Sequence, residues 1–472
     1  MACILQHVPC KERLTSCALV CRAWAAAAVT VPAALLIQNG SSERCMQLHD
    51  WLRKHGGAAV RITAQGWSRL HWKKPVLQLP IPKLTQLQHL GLSNIHAELP
   101  QGVLTRSRAR RQRGSALTGA HSIAVSSLGD AAAAAGVLPH LQGLKLCSCV
   151  LSLQLLRLLL SATALTKLHW KWVGIHSDSP AEKFTQQQVL AAVWQQLQLL
   201  PKLSVLQLDQ TRLTAADVTP VSNLQCLKHL SVGALNRTDA ATVAAVVPAG
   251  LTALNIDSIR LGGLSAIQAE VSLARFIHLQ SYSSKWVCTS FSTLASITGL
   301  QQLCLDHPID SFGKLLTSPA GVRVLLAALQ HLTQLRHLEL VGCYLSWGEQ
   351  GPGGCQCFSA LTASTQLTAL ILEDSFLPKA AFHYVFHAGR TLPHLESLCV
   401  SRTTAGSHRA GSSRSVEAAE IARIAASCPA LRQLRLWGVT PKGFDNRCLA
   451  VLPAGVTRVE GFSWVRWVQP AP

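Results

Sequence analysis

The chain has 472 residues, of which 49% are hydrophobic and only 14% are charged, and this composition excludes a chain that is disordered throughout. It contains no uncharged, proline-free apolar run long enough to span a bilayer, so we expect no membrane insertion. Residues 1–14 lack the basic start and apolar centre of a secretory signal, so we expect a protein of the cytoplasm, the nucleus or both. A net charge of +20 favours an acidic protein, nucleic acid or an anionic membrane surface as a partner.

The first helical pattern in the chain is apolar on two sides. Residues 14–24 read LTSCALVCRAW, and they resemble the second half of an F-box, whose usual opening leucine and proline would precede Met1. The resemblance implies that Leu14, Leu19, Val20 and Trp24 bind a Skp1-like adaptor. Alternatively, both apolar sides pack inside the protein.

A leucine pattern, L-x-x-L-x-L, then recurs along the chain. Copies begin at Leu87, Leu141, Leu203, Leu335, Leu367 and Leu431. Further copies, most of them weaker, begin at Leu165, Leu227, Leu251, Leu300 and Leu395, and another is placed at Phe276 and Leu279. The first residues at 203, 227, 251, 276 and 300 give intervals of 24 or 25 residues, and a repeat of this length indicates a solenoid.

These repeats resemble the leucine-rich-repeat family, whose Asn-or-Cys position is filled here by Cys149 and Cys343. The resemblance implies an α/β leucine-rich-repeat solenoid, a horseshoe with short parallel strands on its concave side and helices on its convex side. The spacing of Val322, Leu325 and Leu329 is typical of one face of such a helix. We therefore expect an F-box-like helical segment at 1–40, a connecting or capping segment at 41–80 and the solenoid at 81–472.

Three segments without a repeat pattern interrupt the predicted solenoid, at 101–136, 347–357 and 403–415. The first contains the run RSRARRQR, which includes Arg106, Arg108, Arg110, Arg111 and Arg113. Clustered arginines suit phosphates and carboxylates, so this run is a candidate nuclear-import signal or a candidate contact for nucleic acid or an acidic partner. The alternative is a solvated insertion with no partner.

Catalytic and metal-binding motifs are absent from the sequence, so we expect no enzyme activity, no cofactor and no metal site. The sixteen cysteines lack the C-x2-C spacing of zinc sites, and we expect them to be small core residues. His89, His229 and His337 occupy the same place in their repeats, and we expect them to face outward from strands.

Charged residues mark a candidate partner-binding face. Acids directly follow the last apolar residue of the pattern in four repeats, at Asp209, Asp257, Asp306 and Glu373. Other residues expected on this face are Lys145, Lys167, His169, Lys171, Arg435 and Trp437. We expect a concave surface that is basic at its N-terminal end and acidic through the middle, or, alternatively, polar residues that merely solvate an open face.

The two resemblances together imply a non-enzymatic, substrate-recruiting subunit of an SCF-type (cullin-RING) ubiquitin ligase. Such a chain binds a Skp1-like adaptor through its head and a protein substrate through its repeats, as one monomer within a complex. The alternative is a leucine-rich-repeat scaffold of the cytoskeleton or the ciliary axoneme, in which the F-box is degenerate.

Overall fold

A computed structural model describes residues 32–66, 74–99, 138–176, 193–209, 219–258, 270–308, 319–345, 354–401, 418–437 and 452–460, apart from positions 195, 199, 236, 286, 288, 344, 374, 376, 378–380, 454 and 457. The F-box-like residues Leu14, Leu19, Val20 and Trp24 lie outside the described residues, as do the arginine run from Arg106 to Arg113 and the segments 101–136 and 403–415. Of the third segment, 347–357, the last four residues are described, and they begin a 3-10 helix, Gly354–Thr362, although the sequence shows no repeat pattern there.

The chain divides into two compact units. Unit one comprises Met1–Thr211 and Ala216–Leu227, and unit two comprises Arg212–Ala215 and Lys228–Pro472. Among the described residues, no helix is long and apolar enough to cross a membrane.

Unit one contains a six-stranded parallel sheet in the order β1-β2-β4-β6-β8-β10, and a second, four-stranded parallel sheet in the order β3-β5-β7-β9. The strands are β1 (Ala33–Gly40), β2 (Ala59–Gly66), β3 (Val76–Gln78), β4 (His89–Ser93), β5 (His96–Glu98), β6 (Gly143–Cys147), β7 (Val150–Ser152), β8 (Lys167–Lys171), β9 (Gly174–His176) and β10 (Val205–Asp209). The described helices are α1 (Ser42–His55), α2 (Leu153–Leu160) and the 3-10 helices Gly56–Ala58, Ile81–Lys83 and Thr219–Asn223.

Unit two contains parallel strands that follow one another in chain order from β11 to β19. They are β11 (His229–Leu235), β12 (Ala253–Ser258), β13 (Ser281–Lys285), β14 (Gln302–Asp306), β15 (His337–Val341), β16 (Ala369–Glu373), β17 (Ser397–Ser401), β18 (Gln433–Trp437) and β19 (Arg458–Glu460). The described helices are α3 (Arg237–Val246), α4 (Phe291–Leu294), α5 (Pro319–Leu329), α6 (Ala381–Val385), α7 (Ala418–Ser427) and the 3-10 helix Gly354–Thr362.

The repeated leucines form the core of both units. In β4, Leu90 and Leu92 are buried, whereas the alternate residues His89, Gly91 and Ser93 are partly exposed. The same alternation recurs in β15, and each buried leucine contributes about 1.5–3 kcal/mol of transfer free energy. One repeat cannot bury its leucines alone, so the parallel stacking of repeats makes each unit a leucine-rich-repeat solenoid of the α/β class.

The predicted copy at Phe276 is misplaced by three residues, because Leu279 is the first and not the second apolar residue of its repeat. Tyr282 lies between Leu254 and Leu303 in the sheet, so this repeat begins at Leu279 and its two strand leucines are replaced by Tyr282 and Ser284. The backbone N–H of Leu279 donates to the carbonyl of Phe276, which places Phe276 in the turn before the strand. The pattern fails here because the tyrosine and the serine fill positions that elsewhere hold leucine.

Among the described residues, the first strand of the ladder is Ala33–Gly40, which precedes the expected start of the solenoid at residue 81. Ala59, Ile62 and Ala64 are buried, and Ile62 and Ala64 lie directly beside Leu90 and Leu92 of the next repeat. Small or branched residues thus replace the leucines in this early repeat. Part of the segment expected to be helical, 1–40, and the segment expected to connect or cap, 41–80, therefore supply strands of the ladder.

Helices follow several strands, as the apolar spacing predicts. In α5, Val322, Leu325 and Leu329 are buried on one face. Helix α1 begins after Ser41, whose hydroxyl accepts a hydrogen bond from the N–H of Arg44 at 3.3 Å, and it buries Leu48 and Leu52. These amphipathic helices therefore bury their apolar faces and leave the alternate strand positions as the exposed surface of the sheet.

Candidate functional site

The exposed face of each main sheet is the candidate partner-binding surface. In a five-residue strand the first, third and fifth side chains point to the side opposite the buried leucines. Parallel pairing in register then places equivalent residues of consecutive repeats side by side. We call these three rows the first, third and fifth columns of the face.

Unit one carries a basic face. Lys145 and Lys167 are exposed, and Lys171 is half-buried at the end of β8. His169 lies beside Lys145 in the third column, and Asp209 lies beside Lys171 in the fifth. The structure therefore brings together these five residues, all of which the sequence places on the face.

Asp209, the acidic residue of this basic face, already contacts another residue of the face. Asp209 Oδ2 lies 3.1 Å from His169 Nε2, and the two side chains are 31% and 23% exposed. Asp209 is also paired in register with Lys171 on the neighbouring strand. Asp209 thus partly neutralises the face from within, whereas Lys145 and Lys167 are both exposed to solvent.

His89 begins β4 and lies in the first column, next to the basic face of unit one. Burial lowers the pKa of its imidazole, and the charges of Arg61 and Lys167 lower that pKa further. Gly143 allows the ring to lie where it does, because a Cβ at Gly143 would be only 2.5 Å from His89 Nδ1. His89, His229 and His337 each begin a strand and are at least partly exposed, which confirms their predicted outward orientation.

Unit two carries a mixed-charge face. In the fifth column Lys285 lies between Asp257 and Asp306, and Val341 separates Asp306 from Glu373. The predicted row of acids is therefore interrupted by a base and by an apolar residue. The sequence prediction missed Lys285 because it placed that repeat at Phe276 instead of Leu279.

Asp306 is held by two bases. Lys285 Nζ lies 2.6 Å from Asp306 Oδ2, and His307 Nδ1 lies 2.6 Å from Asp306 Oδ1. The hydrogen bond to Asp306 raises the pKa of the Lys285 ammonium, and the charges of Asp306 and Asp257 add to that rise while burial opposes it. This carboxylate is therefore committed to contacts within the unit.

The far end of the face holds a cysteine and an arginine. Cys399 Sγ donates to Glu373 Oε1 at 3.6 Å, and burial together with this carboxylate raises the pKa of the thiol to about 11. Arg435 follows Cys399 in the third column, and Trp437 ends the same strand, with its side chain outside the described atoms. Glu373 and Arg435 therefore lie on the predicted face, two strands apart.

A second cluster was not predicted from the sequence. The ligand-type atoms of Cys304, His337 and Glu339 all lie within 4.8 Å of one another, and each residue is partly exposed. The hydrogen bond from His337 lowers the pKa of the Glu339 carboxyl, and Cys304 contributes to the same shift. Burial raises the pKa of the Cys304 thiol to about 12, and the charge of Glu339 adds to that rise.

The other described cysteines are free thiols, and most are buried. Cys149 and Cys343, at the family's Asn-or-Cys position, are fully buried, and burial raises the pKa of each thiol to about 12. Ser375 occupies the same position one repeat after Cys343, where its hydroxyl accepts from the N–H of Cys343 and donates to the carbonyl of Leu340. This serine hydroxyl thus forms hydrogen bonds with backbone groups of the adjacent repeat. Among the described cysteines, Cys226 is the exposed thiol.

The structure is similar to two bacterial proteins among solved structures. One is an internalin from Listeria monocytogenes, with 15% identity, coverage of 90% of this chain and 95% of that chain, and a TM-score of 0.43. The other is internalin C2 from the same organism, with 16% identity, coverage of 55% of this chain and 74% of that chain, and a TM-score of 0.27. No protein-family model and no curated protein matches the chain. The leucine-rich-repeat fold is therefore identified by the chain's own strand register and buried leucines.

Proposed function

We propose that the chain is a non-enzymatic protein-recognition solenoid that recruits a substrate protein to an SCF-type ubiquitin ligase. The F-box-like residues Leu14, Leu19, Val20 and Trp24 would bind a Skp1-like adaptor, and the repeats would hold the substrate. Another subunit of the ligase would supply the chemistry. The proposal places the protein in the cytoplasm, the nucleus or both.

The observation that carries the recognition role is the lysine-rich face of unit one. Lys145 and Lys167 are exposed on two neighbouring strands, and Lys171 follows on the second of them. Backbone pairing fixes the spacing of these charges, so little conformational entropy of the main chain is lost when a partner binds. A face of this sign favours an acidic segment of a partner protein by complementary potential.

The adaptor half of the proposal is tested by a pull-down with a purified Skp1-like adaptor. The intact chain should retain the adaptor, and the double variant Leu14→Ala/Trp24→Ala should lose it, because both substitutions remove apolar contact area. The matched control is Leu36→Ala, which truncates a leucine that is 63% exposed in the repeats. If the intact chain does not retain the adaptor, the ligase function is wrong, and the alternative is a leucine-rich-repeat scaffold with a degenerate F-box.

The recognition half is tested with a fluorescent polyglutamate peptide as the probe. The triple variant Lys145→Glu/Lys167→Glu/Lys171→Glu should weaken its binding at least about tenfold, because it reverses the sign of the face. The control triple variant Lys54→Glu/Lys83→Glu/Lys202→Glu makes the same change in net charge at helix and turn positions. Equal losses in the two triple variants would mean that net charge alone, and not this face, attracts the peptide.

A further inference from the structure

Two neighbouring strands of unit two bring three metal-ligand side chains to one place. Cys304 is the middle residue of β14, and Glu339 is its direct register partner on β15. His337 lies two residues before Glu339, so the imidazole and the carboxylate share the exposed face of the same strand. The cluster is therefore built from two hydrogen-bonded strands, which are among the most rigid elements on which a site can be placed.

We propose that Cys304, His337 and Glu339 bind a transition-metal ion of the zinc class. A thiolate, an imidazole and a carboxylate are the three ligand types that zinc takes from proteins. Calcium and magnesium take oxygen ligands, so the sulfur and the nitrogen of this cluster select against them. The site binds its ion independently of the proposed ligase function.

The geometry of the cluster suits such an ion. Two ligand atoms at about 2.0–2.1 Å from a tetrahedral zinc ion are about 3.3 Å from each other. His337 Nε2 and Glu339 Oε2 are 3.5 Å apart, and the cysteine sulfur completes a triangle within 4.8 Å. Small rotations of the side chains therefore suffice to bring all three atoms to coordination distance.

Three protein ligands leave the fourth tetrahedral position for a water molecule or for a side chain of a bound protein. This position lies toward the exposed side of the sheet, because all three ligands project from that side. The nearby carboxylate of Asp306 is held by Lys285 and His307, so it belongs to the surroundings of the site and not to its ligands. A site with an open position on a partner-binding face is suited to bind metal and partner together.

The chain provides a matched control on the same face. Cys399 also lies next to a carboxylate, with its sulfur 3.6 Å from Glu373 Oε1, but among the described residues no third ligand type joins this pair. Its register neighbours are Ile371 and Arg435, and neither supplies a ligand atom for zinc. Cys399→Ser therefore removes a thiol from the same face without removing a ligand of the proposed site.

The test measures zinc and cobalt binding to the full chain. The intact chain should hold one tightly bound zinc ion more than each of Cys304→Ser, His337→Gln and Glu339→Gln, as counted by competition with a chromophoric chelator. Each variant should bind that ion more weakly by more than the ~10–100-fold that removal of an outer-shell partner costs. Cobalt bound to the intact chain should show thiolate charge-transfer absorption, which Cys304→Ser should lose and Cys399→Ser should keep.

Equal zinc counts for the intact chain and the His337→Gln variant would overturn the proposal, as would an intact chain that binds no zinc in competition with the chelator. Circular dichroism of each variant checks that the fold is retained. Should Cys304→Ser fail to fold, His337→Gln and Glu339→Gln still decide the question, since both change partly exposed side chains and keep their approximate volume.

Discussion

Units one and two bury the same kind of residue and expose different ones. Leu168 in β8 of unit one and Leu303 in β14 of unit two are 1% and 0% exposed, and each lies beside a leucine of a neighbouring strand. On the opposite side of the same strands, unit one presents Lys167 to solvent, whereas Asp306 of unit two is held by Lys285. The inward pattern is therefore shared by the two units and the outward pattern is not.

This difference follows from the period of two along a strand. The core constrains every second residue, because a polar inward residue lowers stability by burying a hydrogen-bonding group, as Ser284 does with a hydroxyl that has no partner among the described residues. The residues between them are free of that constraint and can differ from one repeat to the next. In this chain the outward positions carry open lysines in unit one and internally paired charges in unit two, so unit one offers more unneutralised charge to a partner.

The largest effect is expected from truncating one inward leucine in each unit. Leu168→Ala and Leu303→Ala should each lower the free energy of unfolding by about 2–5 kcal/mol, because each leaves a cavity between packed repeats. Urea denaturation followed by circular dichroism measures both. The outward variants Lys167→Ala and Gln302→Ala, which stand one residue before these leucines, should stay within about 0.5 kcal/mol of the intact chain. A large loss from either outward variant, or a small loss from either leucine variant, would contradict the view that only the inward pattern is shared.

The repeat core was largely predictable from the sequence, since strict leucines such as Leu338 and Leu340 mark their strands directly. The exceptions have a common physical cause. Tyr282 and the early residues Ala59 and Ile62 fill leucine positions with other side chains, because a position in a stacked core requires burial and fit, which residues other than leucine also provide. A pattern restricted to leucine misses them, so it overlooks the strands Ala33–Gly40 and Ala59–Gly66 and misplaces one repeat.

The site was less predictable, because it depends on register between repeats. Asp306 was recognised as a face residue, but its partner Lys285 was not, since the misplaced repeat put it in another position. Cys304 lies more than thirty residues before His337 and Glu339 in the sequence, so no local spacing rule for metal sites applies to the three residues. Aligning the residue between the last two leucines of successive repeats would have placed Cys304 beside Glu339.

A smaller effect is expected in the turn that follows β15 of unit two. Gly342 has a φ of +69°, and a Cβ added there would lie 2.6 Å from Cδ2 of the His307 ring. Gly342→Ala should therefore lower the free energy of unfolding by the ~1–2 kcal/mol that a left-handed backbone costs a residue with a Cβ. It should also displace the His307 ring, which contacts Asp306. Equilibrium denaturation gives the stability, and the NMR shift of the His307 ring reports its displacement.

Gly389→Ala is the matched control for this turn. Gly389 has a φ of +86°, but an added Cβ would have no heavy atom within 4 Å. Gly389→Ala should therefore lower the free energy of unfolding only by the ~1–2 kcal/mol that a left-handed backbone costs a residue with a Cβ. If the two alanine variants lose equal stability and the His307 signal does not move, the contact between Gly342 and His307 does not constrain the face of unit two.

The smallest effect is expected at His89 in unit one, where the basic face acts on its own histidine. Burial, Arg61 and Lys167 together hold the pKa of His89 below its ordinary value of 6.5. Lys167→Gln should raise that pKa part of the way back, since burial, the largest cause, remains, whereas Lys145→Gln should leave it unchanged. Because the folded chain binds this proton more weakly than the unfolded chain, His89 lowers stability as the pH falls below 6.5 and has no effect well above it. An NMR titration of the His89 ring measures the pKa directly, and an equal response to both lysine variants would show that the basic face acts as a diffuse field and not through the neighbouring Lys167.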